Sequence, residues 1–217
     1  MKTVRILIAD DHELIRKGIA STLAEVPGWT VVAQAENGRQ AVELAQSLRP
    51  DIVILDMTMP ELNGLEATRQ ILSNRTGERV LILTAHESEQ LVREVLNAGA
   101  QGYVLKSDAG RALVSAVEAL LDGRPFFTSK VARIVLDGFL RSPDGAANCD
   151  PAQTLSPRER EIVQLLAEGK SNKEVARALG ITVKTAETHR GNIMRKMEFA
   201  SLSDLIRYAI RNNIVGA

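Results

Sequence analysis

A single cysteine, Cys149, is all the thiol chemistry available to this 217-residue chain. One cysteine excludes an internal disulfide framework and suits a reducing cytoplasm. No uninterrupted apolar stretch reaches the roughly 20 residues a spanning helix needs. The start, Met1-Lys2-Thr3-Val4, leads straight into a strand pattern and shows no signal-peptide features. A cytoplasmic protein with no membrane partner is the expectation. The glycine-rich dinucleotide fingerprint is missing, as is the GxxxxGK[ST] phosphate loop, which argues against a nucleotide ligand. Net charge is missing too, with 27 Lys and Arg against 27 Asp and Glu.

That zero conceals a division. Residues 1–123 carry 12 basic and 17 acidic side chains, a net of −5, and residues 124–217 carry 15 and 10, a net of +5. An acidic half joined to a basic half suggests two tasks, the second involving a polyanion. Hydrophobic content of 45% with 25% charged residues is that of ordinary soluble globular protein, and the length allows two domains.

In the first half, strand and helix patterns alternate. Apolar runs at Val4–Ala9, Trp29–Ala35, Ile52–Leu55, Val80–Thr84 and Gly102–Leu105 predict five strands. Helices are predicted from His12 to Val26, with Leu14, Ile15, Ile19 and Leu23 as its apolar stripe, and from Gly38 to Leu48. Others run to about Leu72, from a Ser88 cap to Asn97, and from Ala109 to Leu121. Five such units make a doubly wound parallel α/β sheet, whose chemistry gathers at the carboxyl ends of the strands.

Asp10, Asp11, Asp56, Thr84 and Lys106 all fall at such ends. Taken singly, the aspartates at 10 and 11 could cap the following helix, Asp56 could be a turn residue, and Lys106 a solvated charge. Together they describe a different site. Clustered carboxylates need a positive partner. Oxygen ligands completed by water suit Mg²⁺. A carboxylate beside Mg²⁺ and a lysine is poised to attack a phosphoryl group, with Thr84 donating a hydrogen bond to the aspartyl phosphate formed.

These residues, with the motif Leu55-Asp56-Met57-Thr58-Met59-Pro60, Gly64, Thr84-Ala85, Tyr103 and Lys106, give residues 1–121 a marked resemblance to a response-regulator receiver domain. The resemblance implies phosphorylation of Asp56 by a sensor histidine kinase. It implies Mg²⁺ held by Asp11, Asp56 and the Thr58 backbone carbonyl, with Asp10 assisting. It also implies a switch in which Thr84 and Tyr103 respond to the phosphate. Many receivers carry proline after the lysine, where this chain has Ser107.

Between the halves, Ser129 to about Leu140 reads as a helix. The stretch Arg141–Gln153, with Pro143, Pro151 and Cys149, reads as a flexible linker. The expected division is a receiver over 1–122, a linker over 123–154 and a second domain over 155–217. That second domain begins with a capping box, Ser156-Pro157-Arg158-Glu159. Ser171, Thr182 and Ser201 cap three further helices, and Gly180 makes the sharp turn of a helix-turn-helix.

The helix from Val183 to about Met197 is the one expected in the major groove of double-stranded DNA. Ala186, His189, Ile193 and Met197 line its inner stripe. Lys184, Thr185, Glu187, Thr188, Arg190, Asn192, Arg195 and Lys196 are the candidate DNA contacts. Glu187 repels phosphates and belongs at a base edge or in solvent. Gly191 costs a helix about 1 kcal/mol relative to alanine.

The motifs Leu155-Ser156-Pro157-Arg158-Glu159, Glu168-Gly169-Lys170-Ser171-Asn172-Lys173-Glu174 and Lys184-Thr185-Ala186-Glu187-Thr188-His189-Arg190-Gly191-Asn192 occur in that order. They resemble the LuxR-type DNA-binding domain, so the whole chain resembles a NarL/FixJ-family two-component response regulator. The resemblance implies transcription regulation, a homodimer when phosphorylated or on DNA, and RNA polymerase as a candidate further partner. Enzymatic action would be limited to self-catalysed phosphoryl transfer and slow autodephosphorylation. Two other readings stay open: a Mg²⁺-dependent phosphohydrolase, and a regulator that works without phosphate.

Overall fold

The structure is a computed structural model that describes residues 3–73, 77–85, 87–129, 131–133 and 155–216. The linker reading, Cys149 and most of the helix expected over 129–140 lie outside the described residues. Ser129 and residues 131–133 are helical.

Six parallel strands form one sheet: β1 (Val4–Ala9), β2 (Trp29–Ala35), β3 (Ile52–Asp56), β4 (Arg79–Thr84), β5 (Gly102–Leu105) and β6 (Phe126–Phe127). Their order is β2-β1-β3-β4-β5-β6. Five were expected. The sixth adds two residues to the open edge of β5, pairing Phe126 with Gly102 and Phe127 with Tyr103. A two-residue strand is too short to leave a periodicity in sequence.

Helices α1 (Glu13–Ala24) and α5 (Ala109–Leu121) cover one face, and α2 (Gly38–Leu48), α3 (Gly64–Ser73) and α4 (Glu89–Asn97) cover the other. Alternation along the strands divides the core accordingly. Ile6, Ile8, Ile52, Ile54, Leu81 and Leu83 meet α1 and α5. Leu7, Val53, Leu55, Val80 and Ile82 meet the other three helices. Because β3 is covered on both faces and paired on both edges, every residue from Ile52 to Asp56 is buried.

Helix α1 is shorter than expected at both ends, and Leu14 is 83% exposed rather than part of its apolar stripe. The buried stripe is Arg16, Ile19 and Leu23, which rotates Leu14 outward. Ser88 precedes α4 in extended conformation, but its side chain makes no capping hydrogen bond.

Residues 155–216 form four helices: α6 (Pro157–Ala167), α7 (Asn172–Leu179), α8 (Val183–Lys196) and α9 (Leu202–Arg211). Local chemistry sets their starts. Ser156, Ser171 and Ser201 form capping boxes with Glu159, Glu174 and Asp204. The Thr182 hydroxyl accepts from the Thr185 amide at 3.1 Å. Gly180, at φ +64°, ends α7 in the left-handed conformation that turns the chain into α8. Ile162, Val163, Leu165, Leu166, Ala186, Ile193 and Leu205 fill the core.

Candidate functional site

Strand register brings the predicted site together. Ala9 pairs with Leu55, so Asp10 lies one step beyond the pair, beside Asp56 at the end of β3. Leu83 pairs with Asp56, and Thr84 pairs with Leu105, so Thr84 and Lys106 follow at the same edge. The Lys106 ammonium bridges the two carboxylates, 2.7 Å from Asp10 Oδ2 and 3.0 Å from Asp56 Oδ2. The Met57 amide donates to Asp56 Oδ1 at 2.8 Å.

The carboxylates at 10 and 56 are 1% and 4% exposed. Burial pushes Asp56 up to about 6, against the pull of Lys106, and the neighbouring Asp10 adds to the rise. Burial works against the charge on Lys106, but the two aspartates outweigh it and hold the ammonium above its ordinary range. Thr84 and Tyr103 are wholly buried. Burial raises the Tyr103 phenol well above its usual value.

Asp11 sits at the rim, where its Oδ1 lies 2.8 Å from His12 Nδ1. The His12 amide donates to Asp10 Oδ1 at 2.8 Å, which orders the turn before α1, although the helix N-cap is His12, with no side-chain capping bond. Thr58 shares a cleft wall with Asp11. The peptide bonds include no cis bond among the described residues, and Ser107 lies in a 3₁₀ turn, Lys106–Asp108. Gly64 has a steric reason: a Cβ there would stand 2.2 Å from the Asp56 carbonyl oxygen. Its own amide donates to Met57 O at 2.9 Å and folds the loop back under the strand end.

The donor set fits a hard cation. Asp11, Asp56 and the Thr58 carbonyl offer oxygen only, and Asp10 is a buried carboxylate whose Oδ2 meets the Lys106 ammonium and no further donor among the described residues. Asp10, Asp11 and His12 also bring ligand atoms within 4.8 Å of one another.

Arg16 was missed in the sequence. It is 6% exposed, donating to the Asp10 carbonyl at 2.7 Å and to Glu36 at 3.0 Å, and so it fixes the end of β1. Its signal was present, an arginine three residues before Ile19 and seven before Leu23 on the buried stripe.

On α8 the expected DNA-contact residues form an open face. Lys184, Thr185, Glu187, Thr188, Asn192 and Arg195 are exposed, and Arg190 and Lys196 are half-buried. Inside, Ala186 and Ile193 are buried while His189 and Met197 are only partly so. The Lys196 ammonium is engaged at 2.8 Å by Glu159 of α6. Arg190 reaches Asn172 at 3.4 Å, and Arg195 reaches Asn192 at the same distance.

Among the described residues the two halves meet along α6, α9 and the segment after it. Gln164 is wholly buried; its Nε2 donates to Met59 O at 2.8 Å and its Oε1 accepts from the Asn63 amide at 2.8 Å. Glu168 Oε1 accepts from the Glu61 amide at 3.0 Å and from Gln164 at 2.9 Å. Arg160 pairs with Glu94 of α4 at 2.8 Å, and Gln70 of α3 donates to Glu161 at 2.9 Å. Between the halves a cleft of about 390 Å³ opens over Asp11 and Thr58, roofed by Glu168, Ile206, Ile210, Val215 and Gly216. Sequence reading missed Asn63, Gln164 and Glu168. The hint was a glutamine inside the run Ile162–Leu166, every member of which is buried.

A lysine-bridged carboxylate pair at the edge of a parallel sheet, on the same chain as a helix-turn-helix with an exposed second helix, defines a receiver-like domain joined to a DNA-binding fold. Comparison with known proteins agrees: the response regulator receiver domain family matches residues 6–118, and the bacterial regulatory proteins of the luxR family match residues 153–209. The chain is 37% identical to the transcriptional regulatory protein LiaR of Bacillus subtilis, over 98% of this chain and 99% of LiaR. It is 35% identical to the oxygen regulatory protein NreC of Staphylococcus carnosus, over 98% of this chain and 99% of NreC. A solved RcsB response regulator–DNA complex aligns at 25% identity with TM-score 0.59, covering 95% of this chain and 98% of that one. The chain therefore belongs to the DNA-binding response regulators of two-component systems, a family of transcriptional regulators with a receiver and a LuxR-type helix-turn-helix. No helix among the described residues is long and apolar enough to cross a membrane.

Proposed function

We propose that Asp56 accepts a phosphoryl group from the phosphohistidine of a sensor kinase, and that the phosphate promotes paired binding of the second half to double-stranded DNA. In this reading the first task belongs to the receiver, expected over 1–122 and extended by β6 at Phe126–Phe127, and the second to residues 155–217. The observation that carries the reading is the Lys106 bridge between Asp10 and Asp56 at 2.7 and 3.0 Å.

In the transfer, an Asp56 carboxylate oxygen forms the new P–O bond as the histidine N–P bond breaks, and the imidazole leaves. Lys106 already touches the acceptor and neutralises charge on the transferring group. Arg16 holds the Asp10 carbonyl, so the carboxylate facing Lys106 is fixed before reaction. The Met57 amide holds Asp56 Oδ1, leaving Oδ2 on the lysine side. Asp11, Asp56 and the Thr58 carbonyl would hold Mg²⁺, with Asp10 assisting; the ion would supply charge neutralisation on the phosphoryl oxygens. Thr84, at the neighbouring strand end, would donate to the phosphate, and buried Tyr103 would respond behind it. The dimer, the kinase partner and contact with RNA polymerase belong to this same reading, as does a bacterial cytoplasmic location.

Lys184, Thr185, Thr188, Arg190, Asn192 and Arg195 would contact DNA, with Glu187 at a base edge. Incubation with phosphoramidate and Mg²⁺ should add one phosphoryl group to the chain, and Asp56→Asn should abolish it, read by intact-protein mass. Full labelling of the variant would remove Asp56 from the reaction.

A further inference from the structure

The contact between the halves does not cover the reading face of α8, most of which is exposed. It falls instead on the loop between β3 and α3, the segment that carries Thr58 and leaves the acceptor. Along Met59–Asn63, three backbone groups are taken by two side chains, one on α6 and one on the residue that caps its end. Gln164 takes the Met59 carbonyl and the Asn63 amide, and Glu168 takes the Glu61 amide. Glu61 is held there at φ +65°, a left-handed conformation uncommon for a side chain with a Cβ.

The chain terminus adds to this cover. Asn63 Nδ2 reaches the Ile214 carbonyl at 3.4 Å. Gly216 lies so close to Thr58 that a Cβ on it would stand 3.1 Å from the threonine methyl. Glu168, Val215 and Gly216 line the same cleft as Asp11 and Thr58, so a carboxylate and residues 215–216 stand beside the segment that leaves Asp56. Burial raises the Glu168 carboxyl above its ordinary range, as its place under this seam requires.

We propose that Gln164 and Glu168 clamp the β3–α3 loop and so make the DNA-binding half a brake on phosphorylation of the receiver. The clamp restricts the loop that must adjust around metal and phosphate, and it narrows the approach of a donor. This rests on the assignment of Asp56 as acceptor. Coupling of this kind is reciprocal: whatever opening the phosphate favours, prior opening must favour the phosphate by the same factor. Gln164 is a positioning residue, acting through the loop and not on the reacting atoms.

The test is Gln164→Met in the full chain, which keeps volume and loses both loop hydrogen bonds. The affinity for beryllofluoride with Mg²⁺ should rise at least about fivefold in the variant, and phosphoramidate labelling with Mg²⁺ should be faster because the donor's approach is less restricted. Glu168→Ala should give a smaller rise, about twofold, and serves alone if the methionine variant does not fold by circular dichroism. Labelling of wild type with unchanged or slower rates in the folded variants would overturn the clamp while sparing the acceptor assignment. No labelling of wild type would overturn both.

Discussion

At the scale of single residues, the buried seam has a cost that depends on pH. Glu66 of α3 is 1% exposed, and burial pushes it up to about 7 from an ordinary 4.5. Arg69 and Arg160 oppose that rise, and Glu161 and Glu94 add to it. A carboxyl raised on folding contributes stability that is complete below the unfolded value and lost as pH climbs through the folded one. Stability should therefore fall between about pH 4.5 and 7, with an upper bound on the order of 3 kcal/mol from this group. Glu168 shifts in the same direction. Glu66→Gln keeps a partner for Arg69 and removes the charge, so the urea midpoint should differ less between pH 5 and pH 8 than in wild type. An unchanged pH difference would mean that Glu66 titrates alike in the folded and unfolded states. Strand-end residues such as Asp10, Asp56 and Lys106 were legible in sequence because parallel register carries chain position directly into space. Gln164 and Arg16 were not, because each is defined by partners elsewhere in the fold.

Among elements, the helices of the second half were read almost in full, since each starts with a hydroxyl whose partner stands three residues on. What periodicity could not supply was the use of each face. It placed Leu14 inward, where the backbone turns it out. Nor could it supply that Lys196, a candidate DNA contact, is engaged by Glu159. Partial burial would raise Glu159, but the Lys196 and Ser156 hydrogen bonds outweigh it and hold the carboxyl below its usual range. Lys184 is exposed on α8, and Arg190 is tied only to a neutral asparagine at 3.4 Å. Lys184→Ala and Arg190→Ala should each weaken duplex binding severalfold and lower the salt slope by about 1. Lys196→Ala should lose less affinity and more stability, because its charge already serves Glu159. A salt titration of all three variants separates these outcomes; equal loss from Lys196→Ala would show that the ion pair opens on DNA.

For the whole molecule, α9 carries an aliphatic face that the receiver covers only in part, and pairing through that face is a prediction of the proposed function. Leu202 and Ile210 of α9 are 38% and 40% exposed, and Ile206 and Ile210 roof the cleft over Thr58 and Pro60. A large aliphatic face half in solvent and half against an interdomain cleft suits a helix that exchanges partners. Part of it faces the receiver; under the proposed clamp, release of the loop would open it to a second chain. One small basic domain makes few phosphate contacts, and two joined domains gain by effective concentration. Ile210→Glu places a charge on this face without entering the core around Leu205 and Ala209, which are fully buried. The variant should still be labelled by phosphoramidate at the wild-type rate or faster, since a second carboxylate beside Glu168 disfavours closure. It should fail to dimerise with beryllofluoride and Mg²⁺ in analytical ultracentrifugation, and should bind a two-site duplex at least about tenfold more weakly, or 1.4 kcal/mol. Normal dimerisation of the labelled variant would move the pairing surface away from α9 and onto the receiver.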